Sequence, residues 1–336
     1  MMSRKTRTLL AVAALVAVLG YRAFKPAPDE AGAGADQGPA STTDVQARPL
    51  MLGSLAFRPC TLDSPFSRDS LEAQCTTFQV PEDRGNPQGR KIALNIALLA
   101  PDKPDGVLPD PVFFLAGGPG QSAVESYPQI DAAFADVRKR RNVILVDQRG
   151  TGRSNLLSCE APEGDDAGIE AMRAAAAACA ATLSKKADLR HYTTTDAVAD
   201  LDAVRQAIGA EKINLLGVSY GTRVAQQYAM RHPQSTRSIV LDSVVPNTLQ
   251  LGNIFARNLD DALALQFARC TGNAACKAAL GDPRVELDAL LATLRANPVT
   301  VRYRDANTGQ EREDVLHADT VAGLVRMYAY MPQAAA

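Results

Sequence analysis

The segment Gly217-Val218-Ser219-Tyr220-Gly221 constrains this chain more than any other, because of what stands on either side of it. KINLLGV before the serine is apolar at odd and even positions alike, the pattern of a strand covered on both faces. TRVAQQYAMRHP after it reads as a helix. A strand that turns into a helix through Gly-x-Ser-x-Gly has few conformations open to it. The glycines let strand and helix approach closely, and the serine is forced into a sparsely populated backbone region. Its hydroxyl then stands above the sheet at a helix N-terminus, where backbone N–H groups face it. Ser219 is therefore the candidate nucleophile of a nucleophile elbow, and the competing reading is an ordinary Gly-rich turn.

Other short apolar runs repeat the strand signal at Lys91 to Leu99 (KIALNIALL), Pro111 to Ala116 (PVFFLA), Asn142 to Asp147 (NVILVD) and Ser238 to Val245 (SIVLDSVV). Between them lie helical patterns. The clearest runs from Thr195 to Gly209, where Val198, Leu201, Val204 and Ile208 recur every three or four residues. Thr193 and Asp196 have capping-box spacing, and Gly209 supplies a stop. Strand and helix in alternation predict an α/β fold with a mostly parallel sheet and helices on both faces. From Pro246 the pattern changes: residues 247 to 297 read as helical. Val299 to Tyr303 then alternates like one arm of a half-exposed hairpin turned around Asn307 to Gly309.

A second glycine-rich turn, Ala116-Gly117-Gly118-Pro119-Gly120-Gln121-Ser122, also follows a buried strand. Acyl transfer needs two preorganised N–H donors aimed at the developing oxyanion. This loop can supply one and the residue after the serine the other, which nominates Gly118 and Tyr220. A phosphate cradle is the alternative, but the loop lacks Gly-x-Gly-x-x-Gly spacing and a following Lys-Ser/Thr. A third turn, Val146-Asp147-Gln148-Arg149-Gly150-Thr151-Gly152-Arg153-Ser154, reads as structural, with Asp147 and Arg149 expected to brace the loops as an ion pair.

Thirty-six Lys and Arg against 37 Asp and Glu give a net charge of −1, without the basic excess of a nucleic-acid binder, so no nucleic-acid partner is expected. Cys-x-x-Cys and His-rich clusters are absent from the sequence, so no metal is expected. Three early cations precede an apolar run from Leu9 to Gly20, the plan of a signal peptide or signal anchor over residues 1–25. Twelve helical residues rise only about 18 Å, so a membrane anchor requires residues 9–24 together, with Arg22 snorkelling. Residues 26–50 read as a flexible linker, 51–246 as the core and 247–336 as a helical cap. In an exported protein, periplasmic or extracellular, six cysteines should pair. The pairing with the shortest loops is Cys60–Cys75, Cys159–Cys179 and Cys270–Cys276.

Taken in order, AGGPGQS, VDQRGTGRS, GVSYGT and SIVLDSVVP resemble the prolyl and tripeptidyl aminopeptidase branch of the α/β-hydrolases, over about residues 55 to 336. The resemblance implies an exported serine exopeptidase releasing N-terminal proline or short peptides from a peptide substrate through an acyl-enzyme, without cofactor. It makes Ser219 the nucleophile and places Gly118 and Tyr220 at the oxyanion hole. Ala116 stands where prolyl aminopeptidases commonly have His, and Thr222 where a third Gly is usual. The family's acid and His follow the seventh and eighth strands, whereas this chain reaches Ala336 still reading as cap. The last core strands are thus expected to be absent, the cap incomplete and the catalytic acid and His missing. Two alternatives stand beside this reading: an esterase or amidase acting on a small amide or ester with an unusual Ser219, Asp242 and His317 triad, and a non-catalytic hydrolase-fold binding protein.

Overall fold

A computed structural model of the chain describes residues 48–65, 70–101, 106–159, 169–250, 252–305 and 308–331. The expected signal or anchor and the linker up to residue 47 lie outside the described residues. Two compact units emerge, one within Thr42–Leu249 and one within Gln250–Ala336.

In the first unit, eight strands build one sheet: β1 (Leu50–Leu52), β2 (Leu55–Asp63), β3 (Ser70–Pro81), β4 (Lys91–Leu99), β5 (Val112–Leu115), β6 (Val143–Val146), β7 (Ile213–Val218) and β8 (Thr236–Asp242). Their spatial order is β1-β2-β3-β4-β6-β5-β7-β8. The strands β1 to β4 form an antiparallel meander, β4 joins β6 antiparallel, and β6, β5, β7 and β8 run parallel. The five apolar runs become β4 to β8, each within three residues of its expected bounds. Leu50, the last residue of the expected linker, already opens β1.

Alternation along the central strands feeds two apolar layers. Phe113 and Leu115 of β5 and Ile144 and Val146 of β6 point to one face. There they meet Val198, Leu201 and Val204 of α2 (Thr194–Ala207) and Val224 and Tyr228 of α3 (Tyr220–Arg231). Val112, Phe114, Val143 and Leu145 point to the other, against Tyr127 and Phe134. Phe114, Tyr127 and Phe134 form a three-ring cluster with centroids 4.9 to 6.0 Å apart. The Thr193 and Asp196 capping box starts α2, and Gly209, at φ 75°, lies just beyond its end. The Ala-rich α1 (Ile169–Leu183) buries only Leu183, so it has little apolar face to hold it, and the Cys159–Cys179 disulfide ties it down.

The strand β8 departs from its pattern. Its sequence is apolar at successive positions, yet Ile239 is 39% and Val240 54% exposed. It is the outermost strand of the sheet among the described residues, and neither face is covered as in β5 and β6.

The second unit comprises α4 (Phe255–Thr271), α5 (Ala274–Leu280), α6 (Pro283–Ala296), the hairpin β9 (Val299–Arg304) and β10 (Glu311–Leu316), and α7 (Ala318–Tyr330). Asn273 caps α5, and Asp282 caps α6 with Pro283 in its first turn. The hairpin closes with Arg304 opposite Glu311. Its small core centres on Leu294, Leu316 and Ala318, and a cavity of about 960 Å³ is lined by Leu263, Phe267, Leu280, Leu287, Val325 and Tyr328. Disulfides also join Cys60 to Cys75 across β2 and β3, and Cys270 at the end of α4 to Cys276 in α5.

Candidate active site

Ser219 sits between β7 and α3 with φ 54° and ψ −120°, a conformation that side chains other than glycine rarely adopt. Its surroundings fix it there. Its N–H donates to the Asp242 carbonyl (2.9 Å), and its own carbonyl accepts from the Thr222 N–H (3.0 Å) and the Thr222 hydroxyl (2.6 Å). Thr222, fully buried, also accepts from the Val245 N–H at 2.8 Å, so the residue standing where the family usually has glycine acts as a bracket on the turn. The flanking glycines are required by space. A Cβ on Gly217 would lie 2.4 Å from the Gly221 carbonyl oxygen, and one on Gly221 would lie 2.0 Å from that of Leu115.

The loop after β5 closes over this turn. A Cβ on Gly117 would come within 3.0 Å of Ser219 Cβ, so the loop backbone lies directly against the serine. Gly118 follows with φ 107° and a cis bond to Pro119. The N–H groups of Gly118 and Tyr220 have no hydrogen-bond partner among the described residues, which leaves both free for an oxyanion. The Tyr220 hydroxyl lies 2.5 Å from Thr194 Oγ1, anchoring the side chain to the start of α2. A cavity of about 250 Å³ flanks the loop, lined by Pro119, Gly120, Gly150, Leu157, Thr194 and Tyr220.

Of the other candidates, Asp242 ends β8 in register with Val218, and its exposed carboxylate accepts from the Ser243 hydroxyl at 3.0 Å. His317 precedes α7 in the second unit. In the first unit, His191 stands 3.7 Å from the carboxylates of Asp83 and Asp188, and His232 3.7 Å from that of Asp202. No cluster of three or more His, Cys, Asp or Glu placed to hold a metal occurs among the described residues.

The expected Asp147–Arg149 ion pair does not form. Arg149 is instead bidentate to Asp200, with both bonds 2.7 Å, and donates to the carbonyls of Glu82 and His191. Asp147 and Arg149 each find a separate partner. Burial alone would lower the Arg149 pKa, but the Asp200 carboxylate outweighs it and holds the guanidinium above its ordinary value. Beside it, burial and a hydrogen bond to Glu82 push the Tyr192 phenol up to about 12.

Residues 110–327 match the family model of the α/β hydrolase fold. The chain belongs to the α/β-hydrolase fold family. Among curated relatives of this hydrolase-fold chain, the tripeptidyl aminopeptidase of Streptomyces lividans is 30% identical over 210 residues, 57% of this chain and 39% of that protein. Serine protease Hip1 of Mycobacterium tuberculosis is 28% identical over 312 residues, 85% of this chain and 58% of that protein. The proline iminopeptidase of Neisseria gonorrhoeae is 31% identical over 142 residues, 42% of this chain and 34% of that protein. The chain therefore spans less than two thirds of the length of each of these relatives.

Proposed function

We propose that this chain carries the nucleophile and oxyanion hole of an exported serine aminopeptidase that releases N-terminal proline or short peptides through an acyl-enzyme on Ser219. One observation carries the reading: Ser219 is held in the strained elbow conformation with the Gly117 backbone packed against its Cβ, and the next N–H groups along each segment, those of Gly118 and Tyr220, have no partner among the described residues. In the proposed step the Ser219 hydroxyl gives its proton to a base as its oxygen attacks the scissile carbonyl. Charge collects on the carbonyl oxygen and is met by the two N–H donors. Collapse of the tetrahedral species breaks the C–N bond, the amine leaves with a proton, and water later frees the acyl group. The relatives named as aminopeptidases and a serine protease support the peptide substrate class, and three disulfides support an oxidising compartment.

The alternative expected from the sequence, an esterase or amidase that would use Ser219 with Asp242 and His317, is tested alongside it. The test compares the full chain with Ser219→Ala and His317→Ala on Pro-, Ala- and Ala-Ala-Pro- chromogenic amides beside short esters. Serine-dependent amide turnover supports the aminopeptidase. Ester turnover that needs both Ser219 and His317 supports the alternative, and the absence of any Ser219-dependent turnover overturns catalysis by this chain in favour of a binding role.

A further inference from the structure

Asp147 is almost completely buried, at 1% exposure, and no cation pairs with it among the described residues. Its charge is met entirely by donors from three segments. Oδ1 accepts from the Ser122 hydroxyl at 2.6 Å and from the Val124 N–H at 3.1 Å. Oδ2 accepts from Asn95 Nδ2 at 2.9 Å and from the Arg153 N–H at 3.1 Å. The two oxygens thus divide their work. One holds the residues that follow the Gly117–Gln121 loop, and the other holds β4 and the turn after β6. Gly152 is packed so tightly against this carboxylate that a Cβ there would lie 2.3 Å from Oδ2 and 2.9 Å from Ser122 Cβ.

The segment held by Oδ1 is the one that lies on the nucleophile. At one end the loop is fixed by β5, where Leu115 pairs with Gly217, two residues before Ser219. At the other end Ser122, whose Oγ also accepts from the Glu125 N–H at 3.0 Å as the cap of the short helix after it, and Val124 are tied to the turn after β6 by their bonds to Asp147 Oδ1. Between them, Gln121 N–H reaches the Gly117 carbonyl only at 3.4 Å, and three glycines leave the backbone free to move. A donor that must meet an oxyanion within a few tenths of an ångström cannot be left on a loop tethered at one end.

We propose that Asp147 is a positioning residue for the reaction read above. Acting through Ser122 and Val124, it sets the distance between the Gly118 N–H and the oxyanion formed on Ser219. The carboxylate touches no substrate. Its two-sided bonding makes the turn after β6 the reference against which the oxyanion loop is placed. This gives the VDQRGTGRS segment a function that its distance in sequence from the nucleophile turn does not disclose.

The test uses the full chain and rests on the serine-hydrolase reading, so it has one arm that needs no turnover. In that arm, amide hydrogen exchange is followed over residues 117–124 in Ser122→Ala, Asp147→Asn and Asn95→Ala. The clamp requires at least tenfold faster exchange there in Ser122→Ala and Asp147→Asn, with β7 and α3 still protected. Asn95→Ala, which loses a bond to the same carboxylate from the β4 side, should leave that segment protected. In the second arm, kcat for the Ser219-dependent substrate should fall about 10- to 100-fold in Ser122→Ala and Asp147→Asn, below the 10²–10³-fold cost of deleting an oxyanion donor, with KM within about twofold. Asn95→Ala should keep its kcat. Unchanged exchange in Ser122→Ala overturns the proposal, as does faster exchange with unchanged kcat, or an equal loss of kcat in Asn95→Ala. Ser122→Ala also loses the Glu125 N–H bond, so should Asp147→Asn fail to fold, Ser122→Ala decides by comparison with Ser126→Ala, which loosens the same short helix without touching Asp147 and should leave residues 117–121 protected. A parent chain without Ser219-dependent turnover defeats the hydrolase reading, and the exchange arm still judges the clamp.

Discussion

Replacing Ser219 by alanine and by glycine separates the strain of the turn from the chemistry of the hydroxyl. Ser219 makes no side-chain capping bond to α3, so alanine removes the hydroxyl at little cost in stability while keeping Cβ in the same backbone conformation. Glycine removes Cβ as well. At an unstrained position it would leave the protein about 0.5–1 kcal/mol less stable than alanine does. At φ 54° and ψ −120° a side chain carries a penalty of about 1–3 kcal/mol, which glycine escapes. The difference favours Ser219→Gly over Ser219→Ala by up to about 2.5 kcal/mol, with a midpoint near 1. In a unit of this size, about 1 kcal/mol moves the melting temperature by roughly 2–4 °C. Thermal unfolding of the two variants by circular dichroism should therefore rank glycine above alanine, with Ser219-dependent turnover lost in both. A glycine variant that melts below the alanine variant would refute the claim that the fold pays strain to hold the serine.

The buried Arg149–Asp200 pair should show the asymmetry of paired charges: Asp200 also pairs with Arg84, so the telling single variant is Asp200→Leu, which leaves the buried Arg149 guanidinium without a carboxylate and should cost about 3–5 kcal/mol in urea unfolding, and Asp200→Leu with Arg149→Met should recover most of it. A loss below about 1 kcal/mol in the single variant would contradict this. Burial pushes the Asp110 carboxyl up, but hydrogen bonds from Asn214 and Arg141 and the charges of Arg141 and Arg237 outweigh it and hold the pKa below 3.8. A depressed folded-state pKa gives stability that is present above the unfolded pKa and lost as pH falls through the folded one, so Asp110→Asn should flatten the fall in stability below about pH 4; parallel curves for parent and variant would count against it. Cys60→Ala with Cys75→Ala opens a link across 15 residues and should lower stability by about 3 kcal/mol at most, read from urea midpoints without reductant.

What the sequence discloses and what it hides follow from the range of the forces involved. The elbow was legible because its determinants are local. Gly217, Ser219 and Gly221 lie within five residues, and the strand and helix that give the motif meaning adjoin it. The capping box at Thr193 and Asp196 is equally short-range. The strands β2 and β3 are less legible: they lie in an antiparallel meander, and polar residues such as Glu72, Gln74 and Thr76 interrupt any apolar run. For β8 composition misleads, because a strand's apolar content records what its neighbours should be, while its exposure depends on which neighbours are present. The buried charges are hidden most completely. Asp147 and Arg149 are two apart and opposite in sign, which in sequence suggests a pair. Yet Arg149 reaches Asp200 on α2, 51 residues on, and Asp147 reaches back 25 residues to Ser122 and 52 to Asn95. Buried charges must be satisfied by whatever the fold brings within about 3 Å, and that set is decided by the packing of β6 against β4, β5 and α2. A nucleophile can thus be found from a motif, whereas the residues that hold its surroundings in place become visible only once the strands are assembled.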